Sequence, residues 1–169
     1  KVRRASAKAL GKIGDETAIS ALEGRINDFD GMVRFNVVRS LGQLGDKRVA
    51  GSLLKVLGDR DPSVRAHAVM ALGQIKYKEA IPVLSKMTSD YDPDVRFELT
   101  RALASMREES CVPALGRLSN DPNTNVKIHA LSALGSIKSN DSFNILMQSV
   151  DAYDKRVRYH SVVALGELG

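Results

Sequence analysis

The amino-acid sequence predicts an all-α fold, a solenoid of stacked helical hairpins, on three observations. A Val-Arg pair recurs every 31 residues at Val2, Val33, Val64 and Val95, continues as Val-Lys at Val126, and returns at Val157. Eight residues after each valine stands a leucine: Leu10, Leu41, Leu72, Leu103, Leu134 and Leu165. Between these landmarks two patterns of helical period alternate, joined by loops of two to five residues. A fixed period of this size marks a repeat architecture, in which each unit buries its apolar face only against its neighbours.

One pattern, the second helix of each unit, is clearest over residues 61–75. Val64, Ala68, Ala71, Leu72 and Ile75 fall on one face of a helix. Asp61 is placed to accept the free amides of the first turn, and Pro62 suits the first helical position. The same cap recurs as Asp30, Asp92, Asn123 and Asp154, so this helix is expected six times. The other pattern, the first helix, is shorter and is expected five times. Over residues 79–88 it carries Ala80, Ile81, Leu84 and Met87 on one side, with Pro82 in the first turn and Pro113 one period later. Eleven helices result. The expected organisation is one array over residues 1–169, with repeats 2–32, 33–63, 64–94, 95–125, 126–156 and a partial 157–169. The chain opens with Lys1 inside a helix pattern, and it reads as a piece of a longer array.

Glycine has two expected uses. Gly11, Gly42, Gly73, Gly135 and Gly166 lie inside second helices, where Gly costs about 1 kcal/mol against Ala. A neighbouring backbone passing close by would justify that cost. Gly14 and Gly45 are placed to end helices in the left-handed conformation. Lys76, Arg107 and Lys138 occupy that position in later copies, where a different closure is expected.

Composition excludes several classes. No apolar run approaches the roughly 18 residues that span a bilayer. The single cysteine, Cys111, rules out a disulfide framework within the chain, and its column (Ala18, Val49, Ala80, Ser142) reads as buried packing. The net charge is +5, yet Lys1, Arg3, Arg4, Lys8 and Lys12 supply it all before the first acidic residue, Asp15. Beyond Lys12 the basic and acidic side chains balance, so no basic stripe runs along the molecule. Arg4, Lys8 and Lys12 therefore form a basic end only, and nucleic acid is not the expected partner.

The pattern Asp-x-x-Val-Arg-x-x-Ala-x-x-Ala-Leu-Gly-x-Ile-Gly, following an Ala-Ile-Pro-x-Leu helix, resembles the short HEAT-like repeats first noted in phycobilin lyases. Asp61 to Ile75 and Ala80 to Leu84 carry the resemblance, which recurs along the whole chain. It implies a right-handed α-α superhelix of the HEAT/armadillo kind, about five and a half hairpins long, with the second helices lining the concave face. It also implies a buried Asp–Arg ladder between consecutive repeats. The columns fit: an acidic column, Asp28, Asp59, Asp90 and Asp121, broken by Ala152, precedes the basic column Arg3, Arg34, Arg65, Arg96, Lys127 and Arg158. Phosphate binding is the functional alternative for these arginines. Arg158 of the last unit reads as freer, with Asp151 or Asp154 available to compensate.

Function must then come from positions that vary on a constant frame. In the second helices these are the columns containing Phe35, Phe97 and Tyr159, then Arg39 and Arg101, and between them His67, His129 and His160. Phe35 with Arg39 and Phe97 with Arg101 pair an aromatic ring and a cation four residues apart, the residue types that dominate interface hot spots. The alternative is that the rings only fill space between adjacent second helices. A metal site needs three or four converging ligands, which one histidine column two repeats apart does not supply. No catalytic constellation, metal or cofactor is expected. The expected activity is that of a non-enzymatic, cytoplasmic scaffold holding a protein or peptide partner in the concave groove. Two alternatives are a phycobilin lyase-like subunit or chaperone for a tetrapyrrole-carrying protein, and nucleic-acid binding through the basic first helix. End-to-end self-association through terminal helices lacking polar caps is also expected, involving Val2, Leu10, Val157 and Leu165.

Overall fold

The computed structural model describes residues 2–13 and 15–169; Lys1, Gly14 and the side chains of Val2, Lys8 and Glu16 lie outside the described residues, and with them the helix-ending role expected of Gly14. The second helices are α1 (Val2–Ile13), α3 (Gly31–Leu44), α5 (Pro62–Gln74), α7 (Pro93–Met106), α9 (Thr124–Gly135) and α11 (Lys155–Leu168). The first helices are α2 (Glu16–Glu23), α4 (Ala50–Lys55), α6 (Ile81–Leu84), α8 (Val112–Leu118) and α10 (Asn140–Ser149). These are eleven α-helices, with no strand among the described residues. Three of the first helices are entered through 3-10 turns, at Lys47–Val49, Lys78–Ala80 and Glu109–Cys111. The expected helix over residues 79–88 is only one α-helical turn, α6, closed by a further 3-10 stretch at Ser85–Ser89.

The helices form two compact units, Lys1–Tyr77 and Lys78–Gly169. In the first, α1 packs on α3 and α3 on α5, with α2 and α4 as the outer layer. In the second, α7 packs on α9 and α9 on α11, with α8 and α10 outside. Each core is built from the repeated columns. Leu41, Leu72, Leu103 and Leu134 from the second helices, and Leu22, Leu53, Leu84, Leu115 and Leu146 from the first, have no exposed surface. Each contributes roughly 1.5–3 kcal/mol by leaving water. Leu10 and Leu165, in the outermost helices, are only half-buried.

Helix ends follow the sequence at their starts and depart from it at one class of stop. Asp30, Asp61, Asp92, Asn123 and Asp154 each accept from the amide two residues on, at 2.8–2.9 Å. Gly45 ends α3 in the left-handed conformation, with φ +67°. Lys76 and Arg107 adopt that conformation too, with φ +49° and +50°, so the different closure expected there is not what forms. At Lys76 the paired bonds of the motif are complete: its amide donates to Gly73 O, and Tyr77 N to Leu72 O, both at 3.1 Å. The stack sets the chain direction at these positions and overrides the residue's own preference. Lys138, by contrast, has no positive φ.

The helical glycines are explained by close approach. A Cβ on Gly42 would lie 2.8 Å from the Ala71 Cβ, and one on Gly135 would lie 2.8 Å from the Ala164 Cα and carbonyl oxygen. Small residues therefore face each other where α3 crosses α5 and where α9 crosses α11.

Candidate functional site

The buried charges come first, because they decide which cations are available. Arg34 grips Asp59 with two bonds, Nε to Oδ2 at 2.6 Å and Nη2 to Oδ1 at 2.7 Å, and donates from Nη1 to the Asp28 carbonyl at 2.8 Å. Arg96 repeats this on Asp121 at 2.6 and 3.0 Å and on the Asp90 carbonyl at 2.6 Å. Arg65 donates to the Asp59 carbonyl at 2.7 Å. Each carboxylate also accepts the amide two residues on: Asp59 from Asp61 at 2.9 Å, Asp90 from Asp92 at 3.0 Å, Asp121 from Asn123 at 2.8 Å. Every such arginine is thus tied to a backbone carbonyl six residues before it. Arg34 and Arg96 also hold a carboxylate 25 residues after.

This geometry leaves Arg34 and Arg96 no role with phosphate: both are under 10% exposed and their forks are filled. Burial raises the Asp59 carboxyl pKa, but the bond and charge of Arg34 and the Asp61 amide outweigh it and hold the group below the ordinary carboxylate value. Asp121 in turn raises the pKa of Arg96, chiefly through its hydrogen bond. The forward spacing also corrects the reading of the last unit. A partner for Lys127 would stand at Ala152, so the arginine and the aspartate are lost together at one rung. Arg158 keeps its own rear contacts, the Ala152 and Tyr153 carbonyls, each at 2.8 Å. Asp154 does not compensate it; that carboxylate caps α11 and pairs with Arg156.

The basic end is partly neutralised within the fold. Arg4 holds both oxygens of Asp30 at 2.8–3.1 Å, and Arg3 pairs with Asp28 at 3.2 Å while lying 4.5 Å from the Phe29 ring centroid. Lys12 is exposed, and the side chain of Lys8 lies outside the described residues.

The variable columns gather into two separate constellations, one per unit. In the first unit, Phe35 of α3 meets His67 of α5 edge-on, 4.4 Å between ring centroids. The Arg39 guanidinium lies 5.8 Å from the Phe35 centroid. In the second unit, Phe97 of α7 meets His129 of α9 in the same way at 4.6 Å. Arg101 there binds both oxygens of Glu98, at 3.0 and 3.2 Å. Phe35 and Phe97 are half-buried: the rings close the space between adjacent second helices and keep part of their surface open. His67 and His129 share one tautomer. The Nδ1 of each stands 2.9 Å from a carbonyl four residues back, Ser63 or Asn125, and a carbonyl can only accept, so Nδ1 carries the proton. Tyr159 and His160 of α11 stack edge-on at 5.3 Å, with Tyr159 well exposed. Among the described residues, no three His, Cys, Asp or Glu side chains converge as metal ligands would.

Two features escape the column reading of the helices. Phe29, Tyr91 and Tyr153, each just before a second-helix cap, are 72–103% exposed. Their spacing of 62 residues, one aromatic in every second copy, is the signal that would have found them. An open cleft of about 330 Å³ lies beside the ladder of the second unit, lined by Thr88, Asp90, Arg117 and Asn120 among others. Arg117 is already anchored there to the Ser85 carbonyl at 2.9 Å and to the Thr88 hydroxyl at 3.2 Å. No helix among the described residues is long and apolar enough to cross a membrane.

Comparison with known proteins agrees with this architecture. The sequence profile of HEAT repeats matches residues 1–59, 24–104, 51–121 and 112–169. No curated protein sequence matches significantly. Among solved structures, YibA of E. coli is similar with TM-score 0.73 at 21% identity, over 94% of this chain and 62% of that one. The complex of CpcE and CpcF of phycocyanin lyase from Nostoc sp. PCC7120 is similar with TM-score 0.70 at 22% identity, over 98% of this chain and 71% of that one. A computationally designed armadillo repeat protein for modular peptide recognition has TM-score 0.66 at 16% identity, over 96% of this chain and 92% of that one. At these identities the likeness is one of fold. The profile spans the sequence from end to end, and the chain belongs to the HEAT-repeat family.

Proposed function

We propose that this chain is a non-catalytic scaffold that binds a partner protein or peptide on the face of its second helices. The observation that carries the reading is the twice-built pair of a half-open Phe ring braced by the next repeat's histidine, with Arg39 beside the first ring. Nothing in the packing of the leucine columns requires an aromatic there; Ala66 and Ile128 occupy the same column. Aromatic and arginine side chains on a rigid frame are the usual anchors of an interface. The designed armadillo protein, described as made for peptide recognition, shows that a frame of this fold can serve that purpose.

The test is selection of a random dodecapeptide display library on the folded chain. Selected peptides should bind the wild type, and Phe35→Ala together with Phe97→Ala should abolish binding with helical circular dichroism unchanged. Unaltered affinity in that variant would remove the reading. The other expectations have less support. The likeness to CpcE and CpcF is of fold alone. Arg3 and Arg4, which a nucleic-acid surface would need, already hold Asp28 and Asp30.

A second reading, end-to-end self-association, is favoured by one observation at α11. A Cβ on Gly166 would meet no heavy atom within 4 Å, whereas the equivalent Gly135 is closed by Ala164. Val162, one helical turn before it, is an exposed apolar side chain. Light scattering against concentration tests it; a constant mass would rule it out.

A further inference from the structure

The two constellations differ in one charge, and that difference assigns a ligand chemistry. Arg39 and Arg101 stand in the same column, two repeats apart. Three residues before them stand Asn36 and Glu98. In the second unit the Glu98 carboxylate neutralises Arg101 with both oxygens. In the first unit Asn36 brings no charge, and its amide nitrogen donates instead to the Met32 carbonyl at 2.6 Å. Among the described residues no carboxylate pairs with Arg39, and its Nε is buried with no acceptor.

The guanidinium is also held ready. Phe35 lies beneath it, His67 braces Phe35 edge-on, and the Nδ1–H of His67 fixes that ring on the Ser63 carbonyl. The site therefore pairs a positioned, uncompensated cation with a half-open aromatic surface. A planar fork of N–H donors matches a carboxylate in two parallel bonds. One guanidinium balances one negative charge, which suits a carboxylate better than a dianionic phosphate.

We infer that Arg39 makes the first unit a reader of an acidic side chain, Asp or Glu, flanked by an apolar residue in a partner peptide, while Glu98 makes the second unit indifferent to acid. The inference rests on the reading that the second-helix face binds peptide. The ligand carboxylate accepts from the Arg39 fork, and the neighbouring apolar side chain covers Phe35.

Peptides from the dodecapeptide selection supply the probe. One that binds through Phe35 is resynthesised with Glu, Gln or phosphoserine at its acidic position. Titration against the wild type should show Glu binding about tenfold or more tightly than Gln, the scale of a charge-assisted hydrogen bond. Arg39→Met should erase that preference. So should Asn36→Glu, which gives α3 the internal pair that α7 already carries without loss of fold. Arg101→Met should leave the preference intact. Selected peptides that depend on Phe35 but lack an acidic residue, or whose Glu preference survives in both α3 variants, would overturn the acid assignment and leave the peptide-binding reading standing. Tighter binding of phosphoserine through Arg39 would also overturn it. Selection of no peptide dependent on Phe35 would instead defeat the broader reading.

Discussion

Gly135→Ala should destabilise the fold although alanine is the better helix former, and Gly166→Ala, in the same column, should not. In α9 the added methyl would sit 2.8 Å from the Ala164 Cα, Cβ and carbonyl oxygen together. Carbon atoms prefer about 3.5–4.0 Å. The backbone of α11 cannot rotate away as a side chain would, so α9 and α11 must part by several tenths of an ångström along their contact. Overpacking of this kind costs about 1–3 kcal/mol. The gain in helix propensity returns about 1 kcal/mol. The net expectation for Gly135→Ala is a loss of up to roughly 2 kcal/mol. At Gly166 no atom lies within 4 Å of the new methyl, so only the propensity gain applies, up to about 1 kcal/mol in favour of the variant. Urea unfolding followed by helical circular dichroism reads the comparison, with the midpoint moving and the slope constant. A Gly135→Ala protein stabilised as much as the Gly166→Ala protein would refute the close crossing of α9 and α11.

Further outcomes follow from the caps, the ladder and the thiol. Lys76→Gly and Arg107→Gly should each raise stability by about 0.5–1 kcal/mol in urea unfolding, because both positions hold a side chain at positive φ where glycine carries no steric cost. Asp59→Asn should cost about 3 kcal/mol, read as a fall in melting temperature, because Arg34 would keep a buried charge without its carboxylate. Acid should act in the same direction. The folded-state pKa of Asp59 lies below its ordinary 3.8, so the unfolded chain binds more protons there, and stability present above about pH 4 is lost as pH falls further. Asp30, Asp46 and Asp154 shift the same way through Arg4, Arg48 and Arg156, but they face solvent and are screened. Burial pushes the Cys111 thiol pKa up and closes it from water, so iodoacetamide should label it only as fast as the chain unfolds.

The fold was legible because a solenoid writes its structure in columns. Asp30, Asp61 and Asp92 announce the second helices by residue type and spacing, and the valine and leucine columns mark the faces they bury. The column reading failed where structure is relational. Asp28, six residues before Arg34, looks like its partner, yet the fork closes on Asp59, 25 residues after it, and the repeating aspartate column fits either pairing. Lys76 and Arg107 were misjudged because the backbone path imposed by the stack outweighs the preference of one residue for negative φ. The candidate site was half visible. Phe35, Arg39, Phe97 and Arg101 were identifiable as variable positions, but their brace by His67 and His129 needed the stacking register. The difference between Arg39 and Arg101 was present in the sequence as Asn36 against Glu98. It acquired meaning only when the Arg39 Nε proved buried without an acceptor.

Amide and side-chain chemical shifts, recorded by NMR as a selected peptide is titrated into the folded chain, test the central claim most directly. The account predicts that the largest shifts fall on the second helices, at Phe35, Arg39 and His67 of the first unit. Val83 and Phe143, exposed on the first helices, should stay unmoved. Shifts confined to the first helices, or to the exposed rings of Phe29, Tyr91 and Tyr153, would contradict it.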